Sequence, residues 1–429
     1  MTVFSTFSIR PGRNFFIPHH INSHIRLSDY NTFRYSLIQI PLNMKKTVNS
    51  LLLCMTMFAV ATLLLMCKKQ DANSMKPIPD KSLIAATVAP QIVTFVHPGV
   101  LNTQASLDLI GSEVNGGEPV RSAAYQKVLD YVNNNALPTK FWETVTVGSN
   151  GATTESKSQI RKDAILAYAL ALRWAKTGTA TYAQQCIAIL NGWSYTFKQY
   201  ALMSGANQYQ PSLEASWTTP SFVAAAEIMR YYKAFGQSAG WSDADINQFN
   251  NYLNLVKNNY INNTPAYNNN WNASAGYAKM AIGIFLNSTT VYQNGYNIIT
   301  QHLPIIIKSD GTIPEYCDRN DCVHFQYSLT AFSYAAELAR IQGDNSLWTF
   351  NSNLLSKGYD YMRAAYNGTT SCTPCSTSSP VFPGTEVAYS YYKTANLQYL
   401  RELQDPLYVP NDRTFLGFTS YTHFNVPGL

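Results

Sequence analysis

Successive helical patterns dominate the chain between residues 122 and 403 and constrain its fold more than any other feature. Apolar residues recur there at spacings of three and four, the period that the buried face of an α-helix requires. Some of these segments stop at a glycine, as helices do at a C-terminal cap: Gly178, Gly236 and Gly343. No comparable set of alternating strand patterns lies between them, so the sequence predicts an all-α fold. Ten segments carry the pattern: 122–135, 162–178, 181–197, 220–236, 244–260, 274–287, 291–303, 325–343, 347–368 and 387–403.

Connections of varied length between these helices indicate paired, antiparallel helices. Both an α-solenoid and a closed toroid of helical hairpins satisfy such a pattern. The strict repeat length of TPR-type proteins is absent, which favours the toroid. In a toroid the ends of the inner helices surround a cavity, so unusual polar and aromatic residues at helix starts would line a site.

The N-terminal region has the pattern of a targeting segment. Met44 is followed by Lys45 and Lys46 and then by an apolar run over residues 51–66. A positive start before an apolar run is typical of a signal sequence or a membrane anchor. We therefore interpret residues 1–43 as a mis-called upstream extension.

Residues 44–67 are predicted to be a signal peptide or a lipoprotein signal, and residues 68–92 a polar linker. Cys67 ends the apolar run and is a candidate for lipidation, although Met66 stands where lipoproteins usually have a small residue. The folded domain is predicted over residues 93–429. The protein would then be exported, and either periplasmic or associated with the outer membrane of a Gram-negative bacterium.

The balance of charge argues against a nucleic-acid partner. The whole chain has a net charge of +6, but residues 1–66 hold six Lys/Arg and one Asp, so the remainder has 25 basic and 24 acidic residues. No run of Lys/Arg supplies the basic stripe that nucleic-acid binding needs. A charged fraction of 13% with 29 tyrosines favours a globular protein with amphipathic aromatic surfaces.

Four cysteines form two close pairs in the sequence, Cys317 with Cys322 and Cys372 with Cys375. Four thiols at such spacing could hold zinc. In an exported protein, local disulfides are favoured over a metal site. We therefore predict disulfides, and neither a metal nor a cofactor; which cysteine bonds to which cannot be read from the sequence.

A cluster of asparagines precedes the helical pattern at residues 274–287. One asparagine is enough to cap a helix, and Asn268 or Asn269 can do so. Asn270 is then free for another role. Trp271 either packs in the core or stacks on a sugar ring.

A second polar stretch lies within residues 309–339, ahead of the next apolar helix. His324 and Tyr327 are three residues apart and share a face if the helix has begun there. Arg319 either serves a site or pairs with a neighbouring aspartate. The polar residues of this stretch are Glu315, Asp318, Arg319, Asp321, His324 and Tyr327.

These residue types suit β-elimination on a uronic-acid polymer. Amide, guanidinium or imidazolium donors can neutralise the substrate carboxylate and stabilise the enediolate that forms when the C5 proton leaves. A base removes that proton, and an acid protonates the departing O4. Tyr327 can serve as either if a nearby cation lowers its pKa from about 10. Asn270, Arg319 and His324 would fill the other roles without a metal.

The order and spacing of these motifs resemble those of the helical-toroid alginate lyase superfamily. The resemblance is carried by Asn269-Asn270-Trp271 before a small-residue helix, by "DGTIPE" with Arg319 five residues after its proline, and by a helix containing "AAELA". The stretches "HPGVLNTQASLDLI" and "AYALALRWAKTG" are also similar. The resemblance spans about residues 95–425 and implies an incomplete (α/α) toroid that cleaves a uronate polymer by elimination. It implies that Asn270 is the neutralising amide and Arg319 the active-site arginine.

The chain departs from that family's best-known branch at two positions. Trp271 stands where that branch has a histidine, and Gln326 stands where it has the catalytic tyrosine, one residue before Tyr327. The segment "RNDCVHFQ" is closer to a branch with an Arg-Asp…His-x-Gln pattern. We therefore expect His324 to replace the missing histidine, with the base and the choice of uronate left open.

Further residues are candidates for binding an anionic polysaccharide. Trp217 is expected just before a helix and could form a subsite, while Tyr391 and Tyr392 rival Tyr327. The full set of substrate-binding candidates is Trp217, Asn269, Trp271, Glu315, Glu386, Tyr391 and Tyr392.

Two other functions stay open. An (α/α)-toroid glycoside hydrolase would need two carboxylates flanking the scissile bond, and Asp318, Asp321, Glu315 and Glu386 are available. A non-catalytic, glycan-binding lipoprotein would need the aromatic residues alone.

Overall fold

A computed structural model of the protein describes residues 94–429, which belong to one compact unit built almost entirely from α-helices. The predicted upstream extension, signal segment and linker, with Cys67, lie outside the described residues. In the described part, strands β1 (Thr144–Val147) and β2 (Gln199–Leu202) form a small parallel pair. The helices are α1 Gln104–Asn115, α2 Pro119–Asn134, α3 Glu155–Thr177, α4 Ala180–Thr196, α5 Gln210–Tyr231, α6 Asp243–Asn259, α7 Asn270–Phe285, α8 Thr289–Ile306, α9 Pro314–Arg319, α10 His324–Ile341, α11 Ser346–Asn367, α12 Gly384–Tyr392, α13 Ala395–Glu402 and α14 Thr419–Thr422.

The starts of four long, buried helices, α3, α5, α7 and α10, lie together. Arg161 near the start of α3 pairs with Glu214 of α5 at 2.5 Å. Trp217 of α5 donates from Nε1 to Ser274 Oγ of α7 at 3.2 Å, and its ring lies 5.4 Å from that of Tyr327 in α10. These contacts bring the N-terminal ends of all four helices to one side of the fold.

The opposite ends of these helices also meet one another. Tyr232, directly after α5, donates to the backbone oxygen of Ala175 near the end of α3 at 3.4 Å. Arg230 in the last turn of α5 donates to the backbone oxygen of Phe285 at the end of α7 at 3.2 Å. The helices α3, α5 and α7 therefore run parallel, as the inner helices of a toroid do.

An outer helix returns antiparallel beside each inner one, as α7 and α8 show most closely. A Cβ added to Gly276 would lie 3.1 Å from the backbone oxygen of Gly295, and one added to Gly295 would lie 2.6 Å from that of Gly276. Further along, Gly283 approaches the backbone of Tyr292 in the same way. The backbones can approach this closely because no side chain separates them. The predicted all-α toroid of helical hairpins is confirmed.

Some predicted boundaries are wrong. Trp217 lies inside α5 and not before it, because the helix begins at Gln210 and continues through Pro220. Both sides of this proline are buried, and packing outweighs the backbone hydrogen bond that proline removes. Consequently α5 ends at Tyr231, and Gly236 lies in the turn that follows instead of capping the helix.

The last two helical segments are interrupted. The predicted helix over 387–403 is divided into α12 and α13 at Lys393, whose φ of 53° is left-handed. Within α11, the backbone of Phe350–Asn353 leaves the right-handed helical region. Apolar periodicity continues across both interruptions, which is why the sequence pattern did not reveal them.

The four cysteines form the predicted disulfides, but each bond joins one close pair to the other and neither is local. Cys317 is bonded to Cys372 and Cys322 to Cys375, across 55 and 53 residues, with Cα–Cα distances of 5.5 and 5.7 Å. The loop after α11 folds back onto α9, where the Tyr316 hydroxyl donates to a backbone oxygen of that loop. The first bridge therefore ties α9 to this returning loop, and the second ties the segment just before α10 to it.

No helix in the described part of the chain is long and apolar enough to span a bilayer.

Candidate active site

The asparagines at the start of α7 each have different hydrogen-bond partners. Asn269 is the N-cap, since its side chain accepts a hydrogen bond from the backbone N–H of Trp271 at 3.1 Å. Asn268 has a left-handed φ of 56°, and its backbone N–H donates to Asn272 Oδ1 at 2.9 Å. With the cap and the turn supplied by these neighbours, the side chain of Asn270 points to other partners.

Asn270 and Arg319 meet at one carboxylate oxygen. Asn270 Nδ2 and Arg319 Nε each donate to Glu315 Oε1 at 2.9 Å. Glu315 and Arg319 are four residues apart on α9 and so share a face of that helix, which is why Arg319 pairs with Glu315 and not with Asp318 or Asp321. Asn270 Oδ1 and Glu315 Oε2 are buried acceptors for which the described residues supply no donor.

Asp321 and His324 form a second pair at the start of α10. Asp321 Oδ1 accepts the backbone N–H groups of Val323 and His324, each at 2.9 Å. Asp321 Oδ2 lies 2.6 Å from His324 Nδ1. Burial alone would raise the pKa of Asp321, but the hydrogen bonds and the charge of His324 outweigh it and lower the pKa to about 2. The carboxylate therefore stays ionised, and the His324 side chain is 38% exposed.

The Asp321–His324 pair was not predicted from the sequence, although the sequence contains a signal for it. An aspartate three residues before a histidine at a helix start can bind both the first amides and the ring nitrogen.

Tyr327 lies one turn after His324, with the two ring centroids 5.5 Å apart, so the predicted shared face is present. Its hydroxyl donates to Asp412 Oδ2, a residue 85 positions away. Burial and the Asp412 carboxylate raise the pKa of Tyr327, while Arg161 acts in the opposite direction without prevailing. The condition under which Tyr327 could act as a base, a nearby cation that lowers its pKa, is therefore not met.

The buried Arg161 contacts the residues that surround Tyr327. Arg161 donates from Nε and Nη2 to the two oxygens of Glu214 at 2.5 Å, and from Nη1 to the backbone oxygen of Asp412 at 2.9 Å. Its guanidinium lies 5.0 Å from the ring centroid of Trp217, and that ring contacts Tyr327 on α10. Asp412, which the sequence analysis missed, is thus held by its backbone while its carboxylate is directed at Tyr327.

Trp271 is 8% exposed and packs edge-on against Tyr267, with centroids 5.1 Å apart. Tyr267 in turn contacts Tyr209 at 6.3 Å. Trp271 therefore joins a row of aromatic side chains beside the start of α7.

Three further candidates have partners elsewhere in α11–α14. Glu386 is fully buried and accepts hydrogen bonds from Arg401 at 2.9 Å and from Ser420 at 2.7 Å. Tyr391 stacks on Trp348 with centroids 4.8 Å apart, and the Tyr392 hydroxyl donates to the backbone oxygen of the same tryptophan. These contacts favour structural roles.

The four cysteines considered for zinc are bonded to one another in pairs. In the described residues, no group of three or more His, Cys, Asp or Glu side chains is arranged to hold a metal ion.

Comparisons with known proteins agree with this architecture. Comparison with curated proteins finds no match. A tyrosine-to-phenylalanine variant of alginate lyase A1-III complexed with tetrasaccharide superposes with a TM-score of 0.59 at 14% identity, over 77% of this chain and 97% of that one. Alginate lyase A1-III from Sphingomonas species A1 gives a TM-score of 0.56 at 15% identity, over 77% and 97%. A histidine-to-alanine variant complexed with tetrasaccharide gives 0.56 at 15%, over 76% and 97%.

These identities are low, so the superpositions establish a shared fold. The sequence model of the alginate lyase family matches residues 111–371, more than half of the chain. The protein therefore belongs to the alginate lyase family, and it is a polysaccharide lyase with the helical-toroid fold.

Proposed function

We propose that the protein cleaves a uronic-acid polymer, alginate or a related polyuronate such as glucuronan, by β-elimination at the cluster formed by Asn270, Glu315, Arg319, Asp321, His324 and Tyr327. One observation carries the proposal. An amide and a guanidinium converge on Glu315 Oε1, and Arg319 lies five residues before a histidine whose Nδ1 is bound to an ionised aspartate. Carboxylate neutralisation and proton abstraction need these two sets of groups.

The first step is recognition of the substrate carboxylate. Glu315 orients Asn270 and Arg319 through one hydrogen bond each, so the amide and the guanidinium are fixed before substrate binds. The terminal Nη groups of Arg319 can then hold a carboxylate in a fork geometry. Donors fixed in advance stabilise the enediolate more than the ground state, since negative charge grows on the carboxylate oxygens as the C5 proton leaves.

The location of the cluster adds to this effect. The helices α7 and α10 both begin at it, at Asn270 and His324. A helix N-terminus carries partial positive charge, which favours an anionic ligand.

His324 is proposed as the base that removes the C5 proton. Because Asp321 stays ionised and binds Nδ1, the neutral imidazole carries its proton there. The lone pair is then on Nε2, and the aspartate stabilises the imidazolium that forms. The sequence predicted that His324 replaces the histidine missing at Trp271 and left the base open between His324 and a tyrosine.

Tyr327 is proposed to donate a proton or a hydrogen bond to the departing O4. Its raised pKa keeps the phenol protonated at neutral pH, which suits an acid better than a base. Trp217, held between Arg161 and Tyr327, would stack on a neighbouring sugar, and Trp271 with Asn269 would border the adjoining subsite.

The carboxylates available for hydrolysis are mostly engaged. Glu315 binds Asn270 and Arg319, Asp321 binds His324, and Glu386 binds Arg401, which leaves the exposed Asp318. A hydrolase needs a protonated acid and a base across the bond, so this distribution favours elimination.

The deciding experiment supplies the protein with alginate, polymannuronate, polyguluronate and glucuronan and follows the ultraviolet absorbance of an unsaturated uronate. Rising absorbance is expected on at least one polymer. New reducing ends without absorbance would indicate hydrolysis, and silence on all four would contradict the proposed substrates. His324→Ala is expected to abolish turnover with unchanged helical circular dichroism; full activity in that variant would remove His324 from the mechanism.

We also propose that the domain, residues 93–429, acts after export, with Cys67 as its candidate lipid attachment site. The two disulfides support an oxidising compartment. Radiolabelled palmitate incorporated by the wild type and not by Cys67→Ala is the expected result for a lipoprotein; incorporation by neither indicates ordinary cleavage or an uncleaved anchor.

A further inference from the structure

A cavity of about 580 Å³ lies at the end of the inner helices that is opposite the candidate active site. Lys176 of α3 lines it, 15 residues after Arg161 on the same helix. At 1.5 Å per residue, that separation is about 22 Å along the helix axis. Tyr232, just after the end of α5, lines it as well, 15 residues beyond Trp217. The cavity is therefore separate from the cluster around Asn270.

The rim of this cavity presents an aromatic ring in an unusual way. Phe235 is 71% exposed, the most exposed of the large hydrophobic side chains in the described residues. It sits in the Ala234–Gln237 turn, and both central residues have positive φ, 51° for Phe235 and 82° for Gly236. This is the pattern of a type I′ turn, whose first central position favours Asn, Asp or Gly. A bulky residue there is a conformational outlier, and such outliers cluster at binding sites.

The neighbouring helix end fixes the ring. Gly178 caps α3 with a φ of 66°, and a Cβ added to it would lie 2.8 Å from Phe235 Cδ2. The missing side chain at Gly178 lets the ring of Phe235 lie against the end of α3. The ring is thus supported on one side and open to solvent on the other.

The charges around the cavity favour an anion. Lys176 and Lys233 line it, and the acidic group among the lining residues is Asp108. The Asp108 carboxylate already accepts hydrogen bonds from Tyr232 at 2.7 Å and from Gln104 at 3.0 Å. The lining therefore includes two lysines and one carboxylate that is already hydrogen-bonded within the protein, and the Lys176 ammonium lies 5.6 Å from the Tyr125 ring centroid.

We propose that this cavity is a second, non-catalytic binding site for a uronate segment of the polymer. Phe235 stacks on a sugar ring, as aromatic faces do with the apolar face of a pyranose, and Lys176 and Lys233 bind the uronate carboxylates. Binding here would hold a long chain on the protein between cuts at the active site. The choice of ligand rests on the proposed function, but the site itself is independent of the catalytic cluster.

Affinity electrophoresis of the full chain in gels containing each polyuronate tests the site directly. All proteins carry His324→Ala so that the polymer is not cut. Phe235→Ala and the Lys176→Met/Lys233→Met double variant are expected to bind the retarding polymer roughly three- to tenfold more weakly. The matched controls are Tyr195→Ala, an exposed aromatic at another surface, and Lys198→Met; both should be retarded like the parent.

A kinetic measurement in the active chain separates this site from the catalytic one. Phe235→Ala is expected to raise KM for the long polymer roughly three- to tenfold. It should leave kcat/KM unchanged for a tetrasaccharide that has no unsaturated end. If Phe235→Ala and the lysine double variant are retarded as strongly as the parent in every gel, the second site is refuted even when the chain is an active lyase. If the parent is retarded and the cavity variants are not, the site stands even when no polymer is cleaved.

Discussion

His324 Nδ1 lies 2.6 Å from Asp321 Oδ2, and this contact occupies one imidazole nitrogen and leaves Nε2 for the proposed proton transfer. The same aspartate binds, through its other oxygen, the backbone N–H groups of Val323 and His324 at the start of α10. One side chain therefore fixes both the start of the helix and the direction of the histidine ring.

Asp321→Asn is expected to lower kcat on the order of 10²- to 10⁴-fold, because an amide no longer holds the productive tautomer or stabilises the imidazolium. The initial rate of absorbance increase measures this loss. Asp318→Asn, in the exposed neighbour three residues earlier, is the matched control and should keep wild-type activity. Equal rates for wild type and Asp321→Asn would show that the pair has no catalytic part.

Asp321 also contributes to the dependence of stability on pH. Its pKa in the folded protein is about 2, below the usual 3.8, so its ionised form stabilises the fold above the usual value. That contribution is lost as pH falls from about 4 through about 2. The difference in melting temperature between wild type and Asp321→Asn should therefore shrink over that window. A difference that stays constant through the window would contradict the assignment.

Asn270→Ala and Arg319→Ala are each expected to lower kcat roughly 10²- to 10³-fold, since each removes a donor that we propose stabilises the developing enediolate. Arg319→Lys should recover little, because an ammonium lacks the planar fork of a guanidinium. Circular dichroism should be unchanged. Asn263→Ala, an exposed asparagine in the short turn before α7, is the control and should be fully active.

Tyr327→Phe is expected to lower kcat by about 10²-fold, the usual worth of a positioned acid. Asp412→Asn tests the cause of the raised tyrosine pKa. Removing that charge should lower the pKa of Tyr327 and move the alkaline limb of the rate profile to lower pH. An alkaline limb that does not move would separate Tyr327 from the proton transfer. Tyr195→Phe, exposed and remote, should leave the profile unchanged.

Removal of the Cys322–Cys375 bridge is expected to lower the free energy of unfolding by about 2–4 kcal/mol, because the unfolded chain regains the freedom of a long loop. Activity should also fall, since Cys322 lies two residues before His324. Cys322→Ser/Cys375→Ser, with unfolding followed by circular dichroism, measures the first effect. Cys186→Ala removes a thiol that forms no bridge and is the control. Equal activity with and without the bridge would mean that it does not position the histidine.

The local sequence determined the helices and several residues of the cluster. Apolar residues at spacings of three and four, and an asparagine before α7, are short-range signals. They depend on neighbouring residues and not on the rest of the chain. Asn269 as the cap, and His324 and Tyr327 on one face of α10, follow from positions within one turn. The resemblance of the motifs to the alginate lyase family likewise rested on neighbouring residues.

Only the tertiary structure decided the partners. Asn270 meets Glu315 across 45 residues, Tyr327 meets Asp412 across 85, and the disulfides join cysteines more than 50 residues apart. No periodic pattern in the sequence predicts these contacts. They depend on which parts of the chain the folded toroid brings together. The same packing carried α5 through Pro220 and raised the pKa of Tyr327, since burial and the neighbouring Asp412 carboxylate act only once the chain has folded.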